Sequence, residues 1–277
     1  MMNKEKCLLV CGAGERGSAV ARRLLGEGYA VVLHQETAPR ILRRRMCFAD
    51  AWFDGATTLG AVEARLVRSP KDFLCGMQTR QFIPILLRPF AEVVERWPWD
   101  AIIAAPDPGD RPSPRLVDLA ELTIGVGSGF VAGADCDLVV WTEEPDPGAV
   151  LRAGDTPPQR RIEYDRRALE YWDVIAPVDG AFAAAQPIGA KVAAGDLIGR
   201  IGDTAIRAPV AGRISGLARP DLACLAGMPV GEIATAEAAP VVGVGERNKL
   251  IARGVSFAIE MEAHGFAPVA IGARFRG

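Results

Sequence analysis

The sequence predicts an α/β domain on a mostly parallel sheet, followed by a small all-β domain and a C-terminal helix. Three observations predict it. Short apolar runs alternate with helix-period segments through the first half of the chain. A glycine-rich turn joins the first such run to the first helix. In the second half, two separate sequence blocks recur with one common spacing of 32 residues. The 277 residues suit two modest domains.

The first apolar run, residues 7–11 (CLLVC), has the continuous hydrophobicity of a strand buried on both faces. It leads straight into residues 12–17 (GAGERG). Residues 18–27 carry Val20, Leu24 and Leu25 at helical spacing, Gly28 ends that helix, and residues 29–33 (YAVVL) read as a second strand. Strand, G-x-G-x-x-G, helix, strand, with acidic Glu36 about 20 residues on, is the full context of a Rossmann-like nucleotide-binding domain. Glycine at positions 12, 14 and 17 permits a tight turn and close backbone approach, and a helix start offers unpaired N–H groups to a phosphate. Gly12, Gly14, Arg16, Gly17 and Glu36 are therefore candidate contacts to a nucleotide or a similar small phosphorylated ligand. Glu15 cuts against a dinucleotide, because it stands where a pyrophosphate would lie. It either caps the helix or is offset by Arg16.

Arg40, Arg43, Arg44 and Arg45 follow the second strand. Such a run reads as a solvated helix face or as a phosphate clamp beside the glycine turn. The planar guanidinium fork suits the clamp, with Arg44 and Arg45 as its candidates. Further strands are predicted at 64–67, 82–87, 101–105, 122–126 and 138–141, and a helix at 89–97 with proline in its first turn. Ligands of open α/β sheets bind outside the carboxyl ends of strands. Two loops there are candidate walls: 105–112 (APDPGDRP), and 125–130 (GVGSGF), which offers Gly127, Ser128 and Gly129. Plain turn chemistry explains both loops equally well.

The net charge of −2 gives no general attraction to nucleic acid or to an anionic membrane, so any anion site must be a local cluster. The six cysteines include no C-x-x-C pair, and five lie in or beside apolar runs, where thiols act as small hydrophobes. His34 and His264 are the two histidines and stand far apart, which excludes a histidine-rich zinc site; no metal is expected. His264 reads as a surface residue. No apolar run approaches the ~20 residues that span a bilayer, and the N-terminus turns glycine-rich too soon for a signal peptide. The expectation is a soluble cytoplasmic protein without a membrane partner.

Residues 143–159 are rich in Pro, Gly and Asp and read as a linker or surface loop. Beyond them, IAPVDG at 175–180 recurs as RAPVAG at 207–212, and AGDLIG at 194–199 matches AGMPVG at 226–231. Pro177 and Pro209 stand 32 residues apart, as do Gly195 and Gly227. This pattern resembles the biotinyl and lipoyl carrier domains, flattened pseudo-twofold barrel-sandwich hybrids, over about residues 173–234. In carriers a modified lysine sits at the tip of the hairpin joining the two halves. Here that hairpin is residues 200–206 (RIGDTAI), without lysine, and Lys191 lies in a different loop. The resemblance therefore implies neither biotin nor lipoate, and a module that packs, docks or covers a site. Residues 247–262 place Ile251, Val255 and Ile259 at i, i+4 and i+8, a final helix. The divisions read as 1–145 (nucleotide-binding), 146–172 (linker), 173–236 (β-domain) and 237–277 (helical segment).

Taken together, VCGAGERGSAVARRLLGEGYAVVL, RRRMCFADAWFDG, LTIGVGSGFVAGADCDLVV and the APVDG…IRAPVAG module resemble one family over nearly the full chain. This is the YqeB-type accessory protein of selenium-dependent molybdenum hydroxylase systems. The resemblance implies a maturation role, a molybdenum hydroxylase as client, and handling of its cofactor or labile selenium. The cofactor expected is NAD(P) or another nucleotide-bearing group, and homo-oligomerisation stays open. Two segments depart from the family. Residues 106–112 replace a basic, asparagine-containing segment, and WTEEP at 141–145 replaces a Thr-Arg-Gly-His-like one. Any chemistry those segments carry in the family is altered here. The competing reading is an NAD(P)-dependent oxidoreductase, which the absence of a Tyr-x-x-x-Lys pair opposes. A carrier protein is opposed by the missing lysine.

Overall fold

A computed structural model describes residues 6–107, 113–158, 171–220 and 222–263. His264 and residues 108–112 of the proline-rich loop lie outside the described residues. Strand β1 (Cys7–Cys11) leads through the glycine turn into helix α1 (Glu15–Gly26) and strand β2 (Ala30–His34). Irregular chain follows, with a 3-10 turn at Arg44–Met46 and the short helix α2 (Ala51–Asp54). Then come strands β3 (Ala56–Leu59) and β4 (Val62–Leu66), helix α3 (Pro70–Thr79) and β5 (Phe82–Leu86). Helix α4 (Phe90–Arg96), β6 (Ala101–Ala104), β7 (Leu122–Val126), β8 (Leu138–Val140) and β9 (Val150–Leu151) complete the domain's strands.

These strands form one nine-stranded sheet in the order β3-β4-β5-β2-β1-β6-β7-β8-β9. The inner seven are parallel, and β3 and β9 run antiparallel at the two edges. Residues alternate between faces along each strand, and both faces are covered. Leu8, Val10, Leu33 and Ile103 point to one side, and Leu9, Val32 and Ile102 pack with Met77, Val93 and Trp99 on the other. Helix α3 and the edge strands β3 and β9 escaped the sequence reading. For α3 a signal existed: Ser69 precedes Pro70, and its Oγ accepts from the Asp72 amide at 3.1 Å, an N-cap with proline at the first position. β9 lies within the segment expected to be a linker.

The second unit has eight strands: β10 (Tyr171–Ile175), β11 (Gly180–Ala184), β12 (Lys191–Val192), β13 (Leu197–Ile201), β14 (Thr204–Arg207), β15 (Gly212–Leu217), β16 (Ala223–Cys224) and β17 (Pro229–Ala234). They form two four-stranded antiparallel sheets, β10-β17-β15-β12 and β14-β13-β11-β16. The sequence repeat explains this pairing. Strands β15, β16 and β17 begin 32 residues after β11, β12 and β13, and β14 ends 32 residues after β10. That step carries each sheet onto the other. The core obeys it too, for buried Phe182 and Ile214, Ile198 and Val230, and Ile201 and Ile233 are related by the same spacing.

Helix α5 (Glu246–Ala263) returns to the α/β unit, where Ile251, Val255 and Ile259 join Val20 and Leu24 of α1 over one face of the sheet. Gly254 permits its approach, since a Cβ there would collide with the Gly148 carbonyl. In sequence the β-unit thus lies between β9 and α5, two elements of the same α/β unit.

Candidate functional site

In this sheet β1 lies between β2 and β6. The chain leaves β1 to one side and returns later to the other, which opens a crevice beyond the carboxyl ends of the two strands. Gly12 forms its floor at φ 119°, and its amide donates to the His34 carbonyl at 2.9 Å. A Cβ on Gly12 would stand 2.5 Å from the Ala105 carbonyl oxygen, so only glycine lets the loops after β1 and β6 meet. A Cβ on Gly17 would collide with the Gly12 carbonyl, which sets the close helix–strand packing of the turn. Ser18, fully buried, donates from Oγ to the Ala13 carbonyl and accepts from the Phe48 amide. The Ala13 amide donates to Gln35 Oε1 at 2.9 Å, tying the turn to the end of β2.

Beside this turn is a pocket of about 220 Å³, lined among others by Gly12, His34, Glu36, Phe90, Pro106 and Leu116. Glu36 is exposed at its rim and accepts from the Phe90 amide through one carboxylate oxygen. His34 donates from Nε2 to the Arg88 carbonyl at 2.8 Å, and burial pushes its pKa below the usual histidine value. Among the described residues, no lysine or arginine lines it.

The other glycine of the fingerprint is filled from within the chain. A Cβ on Gly14 would fall on the Asp107 carboxylate. Glu15 begins α1 beside it, and burial pushes its pKa up, with Arg43 and Arg16 acting in the opposite direction. Arg16 donates to the Pro106 carbonyl at 3.1 Å and passes close to Gly127, so it braces the ends of β6 and β7. Gly127 has φ 128° and donates to the Val140 carbonyl. Ser128 and Gly129 are exposed and are not part of the pocket lining. Sequence reasoning named the loop 105–112 as a candidate ligand wall but did not single out Asp107 within it.

The arginine run lies in the seam with the β-unit. Arg43 holds Glu232 through two hydrogen bonds of 2.7 and 2.9 Å, stacks on Tyr171 with 3.8 Å to the ring centre, and comes within 4.0 Å of Glu15. Buried Ser215 donates to the same Glu232 carboxylate. Arg44 donates to the Leu217 carbonyl at 3.0 Å and to Asp50 at 2.9 Å. Arg45 donates to the Ile188 carbonyl at 3.1 Å, and Arg40 to the Ala223 carbonyl at 3.1 Å. From the other side Arg219 reaches Asp50 and Asp54. The Leu217 amide donates to the Leu42 carbonyl, and a Cβ on Gly216 would press into Leu42 at 2.7 Å. Of the sequence candidates, Gly12 and Glu36 line the pocket, Gly14, Arg16 and Gly17 shape the glycine turn beside it, and Arg44 and Arg45 are spent on unit-to-unit contacts.

Cys47, Cys136 and Cys224 are buried, Cys7 and Cys11 half-buried, and Cys75 exposed, and none forms a disulfide. Burial pushes the Cys11 thiol up to about 12 and that of Cys136 up to about 11, far from a reactive thiolate at neutral pH. Among the described residues, no group of three or more His, Cys, Asp or Glu side chains is placed to hold a metal ion. No helix among them is long and apolar enough to cross a membrane.

No family model matches the chain. It is similar to the "Uncharacterized protein YqeB" of Escherichia coli (strain K12), with 31% identity over 264 residues, 93% of this chain and 48% of that protein. The chain thus spans about half the length of the curated relative it matches. The relative's printed name states no activity.

Proposed function

We propose that this protein is an accessory factor that holds a nucleotide-like cofactor at the carboxyl edge of its sheet and serves the maturation of a molybdenum hydroxylase. One observation carries the binding half of the reading. The pocket stands at the switch point of an open α/β sheet, with a glycine turn for floor and an acidic side chain at its rim. Phe90, Pro106 and Leu116 offer apolar walls to a base, and Glu36 offers acceptors to ribose hydroxyls. The volume is below the ~300 Å³ at the lower end of small-molecule sites, which suits one nucleoside rather than a whole dinucleotide. The maturation half rests on the resemblance to YqeB-type accessory proteins. In that role the β-unit, a barrel-sandwich hybrid of biotinyl/lipoyl type without a carrier lysine, is a docking surface.

The test has two arms. Native mass spectrometry of the purified protein is expected to show a retained nucleoside-bearing mass. Glu36→Gln is expected to release it, with ligand affinity falling about tenfold, the effect of about one lost charge-assisted hydrogen bond. Deleting the gene is expected to leave the hydroxylase polypeptide present but low in activity and in metal or selenium content. Normal hydroxylase activity and content in the deletion strain would discard the maturation reading. NAD(P)H turnover by the purified protein would replace it with an oxidoreductase.

A further inference from the structure

We propose that Asp107 selects the charge of the ligand: its carboxylate stands where a ligand diphosphate would lie, so the site accepts an uncharged or cationic nucleoside and rejects nucleoside diphosphates and dinucleotides. The inference deepens the binding reading proposed above and rests on it.

In a glycine turn of this kind, the missing side chain at the second glycine leaves room for a pyrophosphate to approach the backbone, with the start of the helix facing it. Here that room is taken. The Asp107 carboxylate occupies the position over Gly14 that a Cβ would hold, with its Cγ 2.6 Å from that position. A carboxylate is what the positive end of a helix favours, so α1 stabilises the chain's own anion in place of a ligand's. Glu15, in the first turn of the same helix, adds a second carboxyl group beside it.

Among the described residues, the arginines of the turn and of the run are engaged elsewhere. Arg16 is turned onto the Pro106 carbonyl, one residue before Asp107, and thereby braces the segment that delivers the carboxylate. Arg43 is clamped to Glu232, and Arg44 to Asp50 and the Leu217 carbonyl. Among the described residues, the adjoining pocket has no cationic lining residue, and Glu36 adds a further carboxyl group at its rim. A diphosphate arriving here meets carboxylates at close range in a half-enclosed site, where screening by salt is weak. A nucleoside meets only the apolar walls and the acceptors of Glu36.

Titration calorimetry of the full chain tests this with adenosine, guanosine, cytidine and uridine, each paired with its 5′-diphosphate. For the base that binds, the wild type is expected to hold the nucleoside at least tenfold more tightly than its diphosphate. Asp107→Asn keeps the shape and removes the charge, and Asp107→Ala also opens the space. Both are expected to tighten diphosphate binding about tenfold while nucleoside affinity stays within twofold. A wild type that prefers the diphosphate would overturn the charge-selection inference and leave the nucleotide reading standing. Variants that weaken nucleoside and diphosphate alike would overturn it too, by giving Asp107 a purely structural role. If neither the wild type nor either variant binds any of the eight compounds, the nucleotide reading fails, and charge selection fails with it.

Discussion

The glycine turn at 12–17 and the arginine run at 40–45 begin 28 residues apart in sequence and carry opposite lessons. Both have residue types that suit a phosphate. The turn's requirements are local: Gly12 must clear the Ala105 carbonyl, Gly17 must clear the Gly12 carbonyl, and the strand and helix that enforce this adjoin it. Its role as the floor of a crevice is therefore legible from a short stretch of chain. The run's partners are remote. Arg43 meets Glu232 189 positions away, Arg44 meets Leu217 173 away, and Arg45 meets Ile188 143 away. A flexible guanidinium takes whichever acceptor the tertiary structure brings to it. Here the acceptors are a neighbouring unit's carbonyls and carboxylates.

The largest expected effect tests the run. Glu232→Ala leaves half-buried Arg43 without its paired acceptor and buried Ser215 without its carboxylate, and is expected to cost about 3 kcal/mol. The denaturation midpoint at unchanged slope measures it. A loss under about 0.5 kcal/mol would make the run mere surface charge and erase the contrast.

A somewhat smaller effect tests the turn. Gly17→Ala drives a Cβ into the Gly12 carbonyl, a backbone atom that cannot rotate away, and is expected to cost about 2 kcal/mol. Gly26 in the same helix has nothing within 4 Å of an added Cβ, so Gly26→Ala is expected to be neutral or to gain up to about 1 kcal/mol. Equal losses for the two substitutions would mean that helix propensity, not close approach, governs the turn.

The smallest effect lies where the two regions meet, at Glu15. Burial raises its pKa in the folded protein above the ordinary 4.5, so the native state holds this proton more readily than the unfolded chain. The corresponding stability is fully present below the unfolded pKa and is lost as pH rises through the folded one. Glu15→Gln is therefore expected to match the wild type below about pH 4 and to exceed it increasingly from there toward neutrality. A variant that instead falls behind as pH rises would show that Arg43 outweighs burial at this carboxyl group.

Sequence by itself determined the parts whose causes are local or repeated. The doubly buried runs at β1, β2 and β6 marked a parallel sheet, because a strand covered on both faces needs apolar side chains at every position. The 32-residue repeat marked the β-unit, since two copies of one unit bury their faces against each other, and Phe182 and Ile214 do so across it. Ile251, Val255 and Ile259 marked α5 as a helix. Only the tertiary structure decided where these pieces meet. It laid α5 against α1, turned the arginines onto the β-unit, and brought Asp107 over Gly14 from 93 residues away. Such contacts depend on long-range packing that brings distant backbone together, and neither periodicity nor residue type at either end encodes the partner.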